Sequence, residues 1–234
     1  MGKSKHWERI GSLRRTKECA AQTREAILDA AERVFFRQGV ATTTLSQIAC
    51  EAGLTRGAIY WHFSGKLELV KAMQERACLP QEQFFQPDLF KTAEDPLDQL
   101  HRATADFLDF ILTDRRGKCV YTILFLRCEY VGEMQEALKR WREEDARFKR
   151  LVEDVFERAA KEGRLARYWI PSVAANVYVS ALTGLVQEWL RSDESFDLPG
   201  DGRALLGSLF QGFANPCKLA QQAGNRNENA ARSA

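Results

Sequence analysis

The sequence predicts an all-α protein, with a small N-terminal three-helix domain carrying a helix-turn-helix and a larger C-terminal helical domain. Three observations predict it. Apolar residues recur at three- and four-residue spacing through most of the chain, and no alternating strand pattern survives inspection. Two capping signals, at Thr44 and Thr55, flank Gly53 and define two short helices joined by a tight turn. A polar, proline-marked connection from Pro80 to Pro96 divides the two parts. With 234 residues, 45% of them hydrophobic, the chain is large enough to bury a conventional core.

Residues 1–22 are polar and basic, lack an apolar period, and read as a basic arm, mobile or wound as an extra helical turn. A helix follows, with Ile27, Ala31, Val34 and Phe35 on one buried face and Gly39 as its left-handed stop. Thr44-Leu45-Ser46-Gln47 is a capping box that opens a helix to Ala52, and Thr55 caps a third helix through Trp61. Leu45, Ile48, Ala49, Leu54 and Ile59 fill the angle between these two. Lys66 begins a fourth helix reaching about residue 79, and further helices are expected at about 97–113, 117–127, 130–162, 171–191 and 202–214. Residues 23–68 are assigned to the helix-turn-helix domain and 69–216 to the second domain; 217–234 are too polar to pack and are expected to be disordered.

Charge is distributed unevenly. Up to residue 71 twelve Lys and Arg stand against seven Asp and Glu, a balance of +5 in a chain whose total is +2, so a polyanion is drawn to the N-terminal end. The six cysteines, Cys19, Cys50, Cys78, Cys119, Cys128 and Cys217, are scattered without a CxxC pair, so no metal or other cofactor is expected. No secretory segment is visible, which points to a reducing cytoplasm, with Cys50 either a redox sensor or a buried inert thiol. The uncharged stretch from Tyr168 to Val186 contains Pro171, Ser172, Asn176, Ser180 and Thr183, and reads as a protein-buried helix with no membrane contact. No phosphate loop, dinucleotide fingerprint, GxSxG or HExxH occurs, and His6, His62 and His101 lie far apart, so an enzyme is not expected.

The segment Thr55-Arg56-Gly57-Ala58-Ile59-Tyr60-Trp61-His62-Phe63 is an odd composition for a core helix. Gly57 and Ala58 let a backbone sink into a major groove, where Arg56 donates to guanine and Tyr60 reaches base edges or phosphate. Thr43, Thr44, Thr55, Trp61 and His62 are donors suited to phosphate oxygens, and Lys66 adds charge at a helix N-terminus. A lone histidine is more often a surface or core residue, and His62 is read as a contact because of this run. Residues 42–66, preceded by Thr23-Arg24-Glu25-Ala26-Ile27-Leu28-Asp29-Ala30-Ala31, resemble the DNA-binding domain of the TetR family of repressors. Ile123-Leu124-Phe125, Cys128 to Met134, Gly184-Leu185, Trp189-Leu190 and Ser195 to Leu198 look like the AcrR and TtgR branch of multidrug-efflux repressors. The resemblance covers most of residues 14–214; residues 1–13 extend beyond it, and Cys78 and Trp141 match no family motif. It implies an Ω-shaped homodimer on double-stranded, palindromic operator DNA, released by hydrophobic small-molecule effectors bound in the C-terminal domains.

In that second domain Phe107 with Ile111, and Tyr121 with Phe125, place aromatic faces on successive helical turns, and Phe110 and Phe148 add to them; all are candidates for a ligand pocket or for plain core. Thr183 and Gln187, spaced i, i+4 on an apolar helix, either orient a ligand or satisfy an interface. Val177, Ala181, Gly184, Leu185 and Glu188 share one side of helix 171–191. Leu205, Leu206, Leu209, Phe210 and Phe213 make the last helix apolar over a width that a four-helix dimer interface would cover.

Overall fold

The computed structural model describes residues 4–76 and 84–215, with residues 4–17 described by backbone alone. Cys78, the expected end of the fourth helix and the tail 217–234 lie outside the described residues. The helices are α1 (Ser4–Gln38), α2 (Leu45–Ala52), α3 (Arg56–His62), α4 (Lys66–Arg76), α5 (Pro87–Thr92), α6 (Pro96–Thr113), α7 (Arg115–Leu126), α8 (Gln135–Lys161), α9 (Pro171–Arg191) and α10 (Leu198–Phe213). They form two compact units, one of residues 1–77 with 119–138, the other of 78–118 with 139–234.

In the first unit α1 begins at Ser4, well before the expected start near residue 23. The early segment lacks proline and is rich in Lys, Arg, Glu and Ala, so helix propensity carries it without an apolar face. Gly39 ends the helix at φ +84°. A side chain there would crowd the Arg127 carbonyl at 3.3 Å, which instead accepts the Val40 N–H at 2.8 Å and pins the turn before α2. Both halves of the Thr44/Gln47 capping box form, Gly53 closes α2 at φ +67°, and the Thr55 hydroxyl accepts from Ala58 N–H at 3.2 Å. Ile27, Leu28 and Phe35 of α1, Ile48 of α2, Ile59 and Phe63 at α3, and Leu69 and Met73 of α4 are sealed from solvent.

Arg76, at the end of α4, binds three carboxylates one turn apart along α1: Glu25 at 3.0 Å, Asp29 at 2.7 Å, and Glu32. Arg76 and Glu32 are only 11% and 10% exposed. This cluster replaces apolar packing at one end of the α1–α4 contact.

In the second unit a short helix, α5, lies within the polar, proline-marked connection, where no helix is expected from the sequence, and Phe90 is buried from it. Pro87, Pro96, Pro171 and Pro199 each sit in the first turn of a helix, where a missing N–H costs nothing. This placement lets α10 begin at Leu198, four residues ahead of the expected start. The expected helix from 130 starts later, at Gln135, because Gly132 takes φ +56° and a 3₁₀ turn (Gly132–Met134) intervenes. Leu165 and Ala214 form an isolated antiparallel bridge; among the described residues there is no other β pairing. No helix among the described residues is long and apolar enough to cross a membrane.

The core of this unit holds a buried polar pair, Thr104 and Tyr178. Thr104 Oγ1 donates to the Leu100 carbonyl at 2.6 Å, so the fully buried Tyr178 hydroxyl, 2.6 Å away, is the donor to Thr104. Thr104→Val should cost about 2–3 kcal/mol because it strands the Tyr178 hydroxyl, and Tyr178→Phe only about 1 kcal/mol. Urea unfolding of the two variants checks the order.

Candidate nucleic-acid interface

The seven residues of α3 divide sharply by exposure. Ile59 is buried completely, while Tyr60 is 48% and Trp61 74% exposed, and Thr55, Arg56 and Gly57 also face solvent. Arg56 Nη2 donates to the Tyr60 hydroxyl at 2.9 Å, with its guanidinium 5.3 Å from the ring centroid. That i, i+4 pair presents donors in a pre-formed fork on one edge of the helix. A Cβ added at Gly57 would meet nothing outside its own helix backbone nearer than the Thr55 hydroxyl at 3.8 Å, so the middle of this face is open for close approach of another backbone. Trp61 and half-buried His62 pack edge to face at 4.6 Å. The structure therefore brings Thr55, Arg56, Gly57, Tyr60, Trp61 and His62 together on one element, with Ala58 half-buried beside them.

Two sequence-expected phosphate donors have other duties. Thr43 is 2% exposed and its hydroxyl donates to the Gly39 carbonyl at 2.6 Å, so it secures the turn after α1. Lys66 Nζ donates to the Val40 and Ala41 carbonyls at 2.8 and 2.9 Å, reaching back across the fold to the same turn. The N-terminus of α4 also carries an anion already. Glu68 accepts from Ser64 N–H at 2.6 Å and from its hydroxyl at 2.8 Å, bonds that hold its carboxyl below the usual carboxylate range. Exposed Thr44 gives its hydroxyl proton to Gln47 Oε1 at 3.0 Å as part of the cap.

Behind α2 an open groove of about 500 Å³ is lined by Val34, Arg37, Gln38, Gln47, Cys50 and Glu51. Glu51 accepts from Arg37 at 2.6 Å and Arg33 at 2.7 Å, which hold its carboxyl down to about 2. This bridge is complete above the ordinary carboxylate range and is lost only as pH falls toward that value. Cys50 is exposed, whereas burial pushes the Cys119 and Cys128 thiols up to about 11 and keeps them protonated near neutrality. No cluster of metal-ligating side chains occurs among the described residues.

In the second unit Phe107, Phe110 and Phe148 are brought together by two residues that the sequence reading passed over. Phe85 packs against Phe148 at 4.9 Å and Phe107 at 5.9 Å, and Phe84 against Phe110 at 5.2 Å. The adjacent Phe84-Phe85 pair, set in a polar stretch, was the available signal. Ile111 is sealed in the core of α6, and Thr183 and Gln187 are half-buried on α9. Tyr121 and Phe125 belong to the first unit, where their rings stack at 5.7 Å.

The expected dimer surface narrows. Leu206, Phe210 and Phe213 are 1%, 7% and 0% exposed and belong to the core of their own unit. Phe210 packs on His101 and Tyr178, and Phe213 on Phe156 and Trp169, because α6, α8 and α9 already supply an apolar face for α10. Val177, Ala181, Leu185 and Leu209 stay half-buried, and Gly184, Glu188 and Leu205 are exposed.

Lys66→Ala should lower the melting temperature by removing two bonds to the turn before α2. The salt dependence of DNA binding should stay unchanged, since the ammonium already serves carbonyls. Thermal melts and salt titrations of that variant separate a structural lysine from a phosphate contact.

Comparison with known proteins agrees with this geometry. Residues 27–73 match the model of bacterial regulatory proteins of the tetR family, and residues 95–214 match that of the MAATS-type transcriptional repressor C-terminal region. The HTH-type transcriptional repressor BepR of Brucella suis biovar 1 (strain 1330) is 38% identical over 209 residues, 89% of this chain and 100% of BepR. The crystal structure of NalD, the secondary repressor of the MexAB-OprM multidrug efflux pump in Pseudomonas aeruginosa, is similar at 36% identity and a TM-score of 0.77, covering 85% of this chain and 99% of NalD. A SmeT–triclosan complex is similar at 29% identity and a TM-score of 0.71, covering 83% and 93%. The chain belongs to the TetR family of bacterial transcriptional regulators.

Proposed function

We propose that the protein is a ligand-responsive repressor that binds a palindromic operator on double-stranded DNA as a homodimer, controls a multidrug efflux system, and releases the operator when a hydrophobic, drug-like effector binds. The observation that carries this reading is the outward face of α3, where Arg56, Gly57, Tyr60 and Trp61 are exposed over a fully buried Ile59. A helix that is anchored on one side and lined on the other with a guanidinium, two aromatic donors and a glycine is suited to a major groove. Arg56 and Tyr60 read base edges, and Thr55, Trp61 and His62 position the helix on phosphates. Two such helices related by a two-fold axis read two half-sites in opposite directions, hence the palindrome.

The dimer forms through α9 and α10, with Val177, Ala181, Gly184, Leu185 and Glu188 facing Leu205 and Leu209 across a four-helix contact. The effector lodges against the aromatic cluster around Phe107, Phe110 and Phe148, oriented by Thr183 and Gln187. The efflux role is supported by NalD, a repressor of a multidrug efflux pump, and the effector class by triclosan in SmeT.

Fluorescence anisotropy with the intergenic DNA beside the gene tests the reading. Arg56→Ala should cost about 1–3 kcal/mol of operator affinity and relax base preference at one position of each half-site, and Tyr60→Ala should also weaken binding. Unchanged affinity in both variants would show that α3 is not the reading helix. Sedimentation should give a dimer at micromolar concentration. Triclosan is the first effector to titrate. Operator DNA should lower the affinity for a true effector by the factor, typically about 5–150, by which that effector lowers operator affinity; equal effector affinity with and without DNA marks a bystander.

A further inference from the structure

Residues 18–77 hold seven Lys and Arg against seven Asp and Glu, whereas residues 1–17 hold six against one. The positive charge of the N-terminal region therefore lies ahead of the helix-turn-helix and not within it. Six of the seven inner cations are engaged by carboxylates or carbonyls. Arg33 and Arg37 hold Glu51, Arg76 holds the α1 carboxylates, and Lys71 stands 3.8 Å from Glu136. Lys66 serves two carbonyls, and Arg24 lies 3.7 Å from Glu25. Arg56, on the Tyr60 hydroxyl, is the seventh. The sequence-independent part of DNA affinity scales with the phosphates that Lys and Arg neutralise, so the motif alone is poorly equipped to supply it.

The backbone shows where the missing charge sits. α1 is unbroken from Ser4, so Lys5, Arg9, Arg14, Arg15 and Lys17 ride on the helix that also carries Arg24. The Arg24 guanidinium lies 5.0 Å from the ring centroid of Phe63, the residue that caps the C-terminal end of α3. The basic stretch thus precedes, along the same helix, the residue that stands beside the end of α3. From Arg24 back to Lys5 the helix spans about 28 Å at 1.5 Å per residue, the length of about eight base pairs at 3.4 Å each.

We infer that Lys5 to Lys17 of α1 form a second DNA-binding surface, one that neutralises phosphates of the duplex flanking each half-site and supplies most of the sequence-independent affinity, while α3 supplies base preference. The inference rests on the reading of α3 given above. The test uses the full chain carrying Lys5→Gln, Arg9→Gln, Arg14→Gln, Arg15→Gln and Lys17→Gln, since glutamine keeps a similar helix propensity. Binding to a flanked operator duplex and to a random duplex of equal length is measured across salt concentrations. The plot of log affinity against log salt should become shallower by about 2–4, close to one for each phosphate no longer neutralised, and both affinities should fall about tenfold or more at low salt with their ratio kept. A charge-preserving variant, Arg9→Lys, Arg14→Lys and Arg15→Lys, should keep the slope. Trimming the flanks from the operator duplex should weaken the unaltered protein and leave the glutamine variant unaffected, a comparison in which each variant is its own control.

An unchanged slope, or indifference of the unaltered protein to flank length, overturns the inference. Collapse of operator preference with random-duplex affinity retained overturns it too, by making the stretch a base reader. If the unaltered protein shows no operator preference, the reading of α3 fails instead, and the slope on random duplex still decides whether the N-terminal stretch binds phosphate.

Discussion

A seven-residue helix does not hold its shape in water alone, because nucleation costs more than so few hydrogen bonds return. The outward face of α3 therefore exists by virtue of what its inward face buries. Ile59 and Phe63 are sealed at 0% and 1% exposure, and Ile48 of α2 and Phe35 of α1 are sealed in the same unit. Thr44 and Thr55 cap the two short helices, and Gly53 turns the chain between them with a left-handed residue at no steric cost. The directions of Arg56, Tyr60 and Trp61 follow from these constraints.

Polar groups in the same unit mostly serve that scaffold. Lys66 donates to two carbonyls of the turn between α1 and α2 and Thr43 to another, and the Arg127 carbonyl makes a fourth bond there by accepting the Val40 N–H. That carbonyl lies one residue beyond the end of α7, so the turn that sets α2, and through it α3, is pinned by a residue far along the chain. Arg76 does comparable work at the far end of α4, where a guanidinium shared among carboxylates of α1 stands in for apolar contact. Six of the seven cations in residues 18–77 are held by carboxylates or carbonyls of the unit itself, and seven carboxylates in the same stretch balance them.

The second unit repeats the pattern with apolar groups. Tyr178, Phe156 and Phe213 fill its centre, and the aromatic residues around Phe85 form a separate cluster. Burial of Phe210 and Phe213 leaves a narrower outward strip on α9 and α10, made of the small and aliphatic residues Val177, Ala181, Gly184, Leu185, Leu205 and Leu209 with Glu188 among them.

By itself the sequence determined the helix-turn-helix almost to the residue, because a capping box, a second N-cap, left-handed glycines and a buried face at three- and four-residue spacing act over one or two turns of chain. Thr44, Gly53, Thr55 and Ile59 carry that information locally, and the exposure of Arg56, Gly57, Tyr60 and Trp61 follows from it. Tertiary structure alone decided the partners of groups with several options. Lys66 had a phosphate or two carbonyls 25 and 26 residues away within its chemistry, and Thr43 had solvent or the Gly39 carbonyl. Arg76 reaches carboxylates 44 to 51 residues distant, and Phe85 meets Phe148 across the second unit. The apolar face of α10 reads from the sequence as dimer surface, and only the packing of α6, α8 and α9 over Phe210 and Phe213 assigns those two to the core. Local signals set where a helix begins and ends; which neighbour answers a charge or covers an apolar side chain depends on distances in space that spacing along the chain does not encode.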